Sequence, residues 1–75
     1  MKFGEQLRRE RKKRLLSSQE FAISCGIARS YLTLIETNKR LPGKKIIPKI
    51  ANSLHVKTYI VINWYLEDLR TRLES

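Results

Sequence analysis

Arg29, Ser30, Thr33 and Leu34 fall within the stretch GIARSYLTLIETNKR, residues 26–40. At about 100° per residue these four and Thr37 share one side of a helix, whereas Tyr31, Leu32 and Ile35 share the other. A forked cation, small hydroxyls and an apolar tip are the groups that hydrogen-bond or pack against base edges in a DNA groove. Lys39 and Arg40 follow at once, and Lys, Arg and hydroxyl groups are what hold phosphates. Catalytic chemistry finds no such footing. His55 is the single histidine, with no Cys, Asp or Glu at ligand spacing, so the sequence offers neither a metal site nor a general base. It holds no Gly-rich phosphate loop and no nucleophile–base pair. No catalytic residue, metal or cofactor is expected, and the chain reads as a non-enzyme.

Positioning that face requires a helix in front of it and a turn behind it. Periodicity favours helices nearly throughout, with Gly, Pro and Ser as punctuation. Five short helices are expected. The first runs from about Lys2 to Arg14, with Phe3 and Leu7 inward and Arg8, Arg9, Lys12 and Lys13 mostly outward. The second follows Ser17, whose hydroxyl caps it while Glu20 completes a capping box, and it ends at Gly26. Phe21 and Ala22 point inward, and Cys25 is a small buried residue beside the turn. The third runs from Ala28 or Arg29 to about Thr37, so that the helix-turn-helix spans about 18–37. The fourth spans roughly Lys44 to Leu54, with Pro48 tolerated in its first turn, and His55 follows where a glycine stop would be comfortable.

The last helix, about 58–73, places Ile62, Leu66, Leu69 and Leu73 at alternating spacings of four and three, a heptad seam. Ile60 and Trp64 form a second apolar patch. One stripe closes the core and leaves the other for a partner. A short strand over Tyr59–Ile62 is the competing assignment, because four β-favouring residues in a row are ambiguous.

A length of 75 residues allows one domain, 1–75, since a chain of this size buries only about 60% of its unfolded surface. Its stability margin is thin, and dimerisation helps. Sixteen Lys and Arg against seven Asp and Glu give a net charge of +9, which points to a polyanionic partner, most often nucleic acid. An acidic membrane surface, or a merely solvated helix face, is the other reading of such charge. The excess lies in RRERKKR, residues 8–14, and in Lys39 to Lys49, bracketing the stretch described first. No apolar run approaches the ~18 residues of a membrane span, and MKFGEQLRRERKKR lacks the apolar stretch of a signal peptide. With one cysteine and no internal disulfide, a cytoplasmic protein is expected.

The segment LSSQEFAISCGIARSYLTLIETNKRLP, residues 16–42, resembles the Cro and phage-repressor type helix-turn-helix, the xenobiotic-response-element (XRE) family of bacterial and phage transcriptional regulators. The matches include Leu16, Ser17, Glu20, Gly26, Arg29, Ser30, Tyr31, Ile35, Glu36 and Pro42, and the likeness extends to about three quarters of the chain. The resemblance implies an all-α, compact five-helix, lambda-repressor-like domain, here with an extended C-terminal helix, that binds operator DNA, usually as a two-fold dimer. Mapped residue by residue, it implies that Arg29, Ser30, Thr33 and Leu34 face bases and that Thr37, Asn38, Lys39 and Arg40 form the phosphate-contacting turn. Tyr31 brings a hydroxyl within reach of a phosphate. Ser18 stands where the family has a Gln touching the sugar-phosphate backbone, so that contact is shortened or passes to Gln19. The family's Asn-Gly appears as Thr37-Asn38. Glu36 is expected to be structural, pairing with an Arg of the first helix.

The leading expectation is a repressor that binds a palindromic operator in double-stranded DNA as a homodimer, joined through Ile60, Trp64 or the seam residues Ile62 and Leu66. Three alternatives remain: an antitoxin whose apolar patch covers a toxin, a helix-turn-helix protein adaptor, and a non-specific DNA-coating protein.

Overall fold

A computed structural model describes residues 1–74; Ser75, the last residue of the domain expected over 1–75, lies outside the described residues. The described residues form five α-helices: α1 (Phe3–Lys13), α2 (Ser18–Cys25), α3 (Arg29–Glu36), α4 (Ile47–Leu54) and α5 (Thr58–Glu74). The segment Tyr59–Ile62 lies within α5 and is helical. Helix α1 packs on α3 and α5, α2 on α3 and α4, and α4 on α5. Between them lies one core of Phe3, Leu7, Phe21, Ala22, Cys25, Leu32, Ile35, Ile47, Ile50, Ala51, Leu54 and Val61.

The ends of the elements follow from local chemistry. Ser17 Oγ accepts the Glu20 N–H at 3.1 Å and Glu20 Oε1 accepts the Ser17 N–H at 3.2 Å, which closes the capping box and starts α2. Gly26 takes the left-handed conformation, φ 69°, and stops it. His55 does the same for α4 at φ 59°, without a glycine. Arg14 helps there, its Nε donating to the Leu54 carbonyl at 2.9 Å. Helix α4 begins at Ile47 rather than near Lys44, because 44–46 form a turn and Pro48, fixed in φ and lacking an N–H, fits only the first helical turn.

The start of α1 has no local cap, since Lys2 provides no side-chain hydrogen bond. Its orphan N–H groups find acceptors far along the chain instead. Phe3 N–H donates to Asp68 Oδ2 of α5 at 3.0 Å, and Gly4 N–H donates to Asn38 Oδ1 at 2.9 Å. Gly4 is a close-approach residue: a Cβ there would press into the Ile35 carbonyl oxygen and lie 2.8 Å from that of Glu36. The missing side chain lets α1 cross directly over the end of α3.

Helix α5 closes the core through a different stripe from the apolar heptad. Val61 and Asp68 are buried, while Trp64 and Tyr65 pack half-buried against the core, Tyr65 edge-to-face with Phe3 at 6.0 Å between ring centroids. Ile62, Leu66 and Leu73 are exposed. The seam is thus the outward stripe, and Trp64, expected at a partner surface, is spent largely on the core.

Candidate nucleic-acid interface

Helix α3 stands on Leu32 and Ile35, each 1% exposed, with Tyr31 half-buried beside them. Its other side carries Arg29, Ser30, Thr33, Leu34 and Thr37, all exposed. Leu34 retains 38% of its surface in solvent. The helical periodicity therefore places these five on one face, as the sequence spacing required.

Two of the hydroxyls on that face are engaged by the helix itself. Thr33 Oγ1 donates to the Arg29 carbonyl at 3.1 Å, and Thr37 Oγ1 donates to the Thr33 carbonyl at 2.7 Å. Back-bonding of this kind is the usual fate of a Thr inside a helix.

The turn after α3 is built around Asn38, which takes the left-handed conformation at φ 63°. Asn tolerates that conformation better than most residues, so it serves where the family pattern has glycine. Its side-chain oxygen faces inward to Gly4 N–H, which makes Asn38 a tie between the turn and α1. Lys39 and Arg40 N–H groups both donate to the Leu34 carbonyl, at 2.9 and 3.2 Å, so their side chains leave from a backbone fixed to the helix end. Both residues are exposed. The Arg40 guanidinium lies over the Tyr31 ring, 5.9 Å from its centroid. The Tyr31 hydroxyl accepts from Gly43 N–H at 3.4 Å, so it also braces the loop that follows.

Beside Thr33 a notch of about 180 Å³ is lined by Arg8, Arg11, Ser18, Thr33, Glu36 and Thr37. It gathers the start of α2, the outer side of α3 and one side of α1. Ser18 is half-buried in it, and Gln19 is exposed next door. Arg11 forms the floor. Its Nε and Nη2 grip Glu36 at 2.8 and 3.1 Å, and its Nη1 donates to the Leu16 carbonyl at 2.6 Å. The expected pairing of Glu36 with an Arg of the first helix is therefore present, and its donor is a buried member of the basic run. Sequence reasoning did not place Arg8 at this surface. The signal was available, for Arg8 lies three residues before Arg11 and shares its helix face.

Cys25 is buried, and burial pushes its thiol pKa up against the opposing Ser53 hydrogen bond and Lys49 charge. Among the described residues no three His, Cys, Asp or Glu side chains gather to hold a metal. No described helix is long and apolar enough to cross a membrane.

The stripe on α5 forms a second surface. Ile62 and Leu66 are exposed, while Ile60 and Trp64 are half-buried. Near Ile62 an apolar depression of about 230 Å³ is lined also by Ile47, Pro48, Thr58, Tyr65 and Lys44.

Comparison with known proteins agrees with this geometry. Residues 7–60 match the model of the family described as HTH_3, Helix-turn-helix. Among solved structures, the chain is similar to a crystal structure of SinR, the master regulator for biofilm formation, in complex with DNA. That match has 30% identity and a TM-score of 0.73, covering 80% of this chain and 97% of that one. It is also similar to a chain of a SinR protein/SinI protein complex, at 29% identity and a TM-score of 0.75, covering 96% of this chain and 71% of that one. Comparison with curated protein sequences gives no match.

Proposed function

This chain belongs to the HTH_3 family, the Cro/C1-type XRE helix-turn-helix proteins; it is a DNA-binding transcription regulator rather than an enzyme, and we propose that it is a repressor that binds a palindromic operator as a homodimer. The observation that carries the reading is the outward face of α3, where Arg29, Ser30, Thr33 and Leu34 stand clear of a core held by Leu32 and Ile35. Lys39 and Arg40, tethered to the helix end, supply phosphate contacts that set its angle. The notch lined by Arg8 and Ser18 beside Thr33 supports a further phosphate contact.

Selection of preferred sites from a random duplex pool tests the whole reading. A palindrome is expected, with half-site centres about 34 Å apart, one turn of DNA. Enrichment of an asymmetric site would remove the homodimer, and no enrichment would remove sequence-specific regulation.

Within that operator, Arg29→Ala is expected to cost about 1–3 kcal/mol and relax base preference at one position, as loss of a bidentate guanine contact does. Lys39→Ala should weaken all sequences alike and reduce the salt slope by about one. Titrations on specific and random duplexes at several salt concentrations separate the two, and equal losses on both duplexes for Arg29→Ala would refute base reading.

The homodimer is assigned to the exposed α5 stripe. Leu66→Asp places a charge there without touching the core, and should convert dimer to monomer in sedimentation while leaving the helical spectrum intact. A dimer that persists at the same concentration would place the contact elsewhere. The same stripe supports a second reading, an antitoxin-type autoregulator whose exposed apolar residues cover a partner protein such as a toxin. The similarity to a chain solved in a SinR protein/SinI protein complex favours keeping it.

A further inference from the structure

The hydrogen bonds along α3 bear on which bases its outer face can distinguish, and the inference that follows rests on the DNA-reading role proposed above. Adenine is read by Asn or Gln, cytosine by Asp or Glu, guanine by Arg or Lys, and thymine by apolar contact with its methyl group. From Arg29 to Thr37 the sequence holds no Asn, Gln or Asp, and its one Glu, Glu36, is gripped by Arg11. Arg29 remains for guanine. The selective partners for adenine and cytosine are missing from this helix, which leaves only the Ser30 hydroxyl, a group without base preference.

Thr33 carries a hydroxyl on the outer face. Its proton, however, is directed to the Arg29 carbonyl at 3.1 Å. What the residue can then turn outward is its γ-methyl group, together with an oxygen that can only accept. Leu34, the next residue along, is exposed and apolar. Both lie roughly one turn beyond Arg29, about 100° apart around the helix, so each presents its apolar group to a different part of the face.

We propose that Thr33 reads a thymine methyl rather than donating a hydrogen bond, and that Thr33 and Leu34 together select neighbouring thymines beside the guanine read by Arg29. Within the α3 footprint the base-selective contacts are then one guanine and thymine methyl groups, with the Ser30 hydroxyl able to contact bases without preference.

The test uses the selected operator with thymines replaced one at a time by uracil, which removes only the methyl. Affinities are measured for the parent chain and for Thr33→Val, Thr33→Ser and Leu34→Ala. The readout is each protein's ratio of affinities for the thymine and uracil duplexes. For the parent, a ratio of about four is expected at the contacted positions, the worth of one buried methyl. Thr33→Val should keep that ratio at the Thr33 position, and Thr33→Ser should reduce it to about one. Leu34→Ala should abolish the ratio at the adjacent thymine only. A Thr33→Ser variant that keeps the parent's ratio overturns the proposal, as does a parent ratio of one at every thymine. An enriched palindrome with no thymine in the α3 footprint overturns it too, while leaving the regulator reading intact. Failure to enrich any sequence overturns both. Since Thr33 and Leu34 are exposed, unchanged thermal melts confirm that each variant is folded.

Discussion

Replacing Glu36 with alanine is expected to lower the unfolding free energy by about 3–5 kcal/mol, the cost of stripping one partner from a buried ion pair. The side chains of Glu36 and Arg11 are only 8% and 7% exposed, so solvent cannot stand in for the missing carboxylate. The loss is a large share of the roughly 5–15 kcal/mol that a whole domain commands. The guanidinium links three pieces of chain at once: α1, the end of α3, and the carbonyl of Leu16 that leads into α2. Urea unfolding should show a lower midpoint with an unchanged slope. Adding Arg11→Met should restore much of the loss, because a buried pair is often replaceable by apolar groups of similar volume. If the single variant lies within about 1 kcal/mol of the parent, the pair is not buried in the sense argued.

The second large effect is expected at Asp68. Asp68→Ala should cost about 2–3 kcal/mol at neutral pH, since it removes a charged acceptor from the buried N–H of Phe3. Burial alone would raise the pKa of this carboxyl. Hydrogen bonds from Arg72 and Phe3 N–H, with the charges of Arg72 and Lys2, more than offset that and hold it below its ordinary value of 3.8. A carboxyl with a lowered native pKa stabilises the fold fully above its unfolded value, and that stability is lost as pH falls through the native one. Asp68→Asn has no proton to gain there. Its stability should therefore fall less steeply than the parent's between pH 5 and pH 2, and parallel acid limbs in urea midpoints would exclude the assignment.

Much of the architecture was legible because it rests on local rules. Ser17 and Glu20 spell a capping box, Gly26 a left-handed stop, and the alternation of Leu32 and Ile35 with Arg29, Ser30 and Thr33 gives α3 its two sides. The exposed face of α3 was readable for the same reason. What escaped depended on distant partners. That Glu36 pairs with an Arg of the first helix was legible, but not which one: Arg11 looked like one cation in a basic run, and only Glu36, 25 residues away, reveals it as buried. On α5 a count of apolar residues favours the heptad, yet the inward stripe includes Asp68, a residue that hydropathy places in water. Its burial makes sense only with Phe3 N–H in place. Thr33 was readable as an exposed hydroxyl on α3, but not the direction of its proton.

The bond between Phe3 and Asp68 joins residues 65 positions apart. Translation at about 5–20 residues per second makes the first of these roughly 3–13 s before the last. Throughout that interval the Phe3 N–H lacks its native acceptor and bonds to water instead, and Phe3 lacks the ring of Tyr65 that packs against it in the finished domain. The nascent chain therefore cannot lock its N-terminal helix as it emerges. The tie between the two ends of the domain forms only once α5 has left the ribosome.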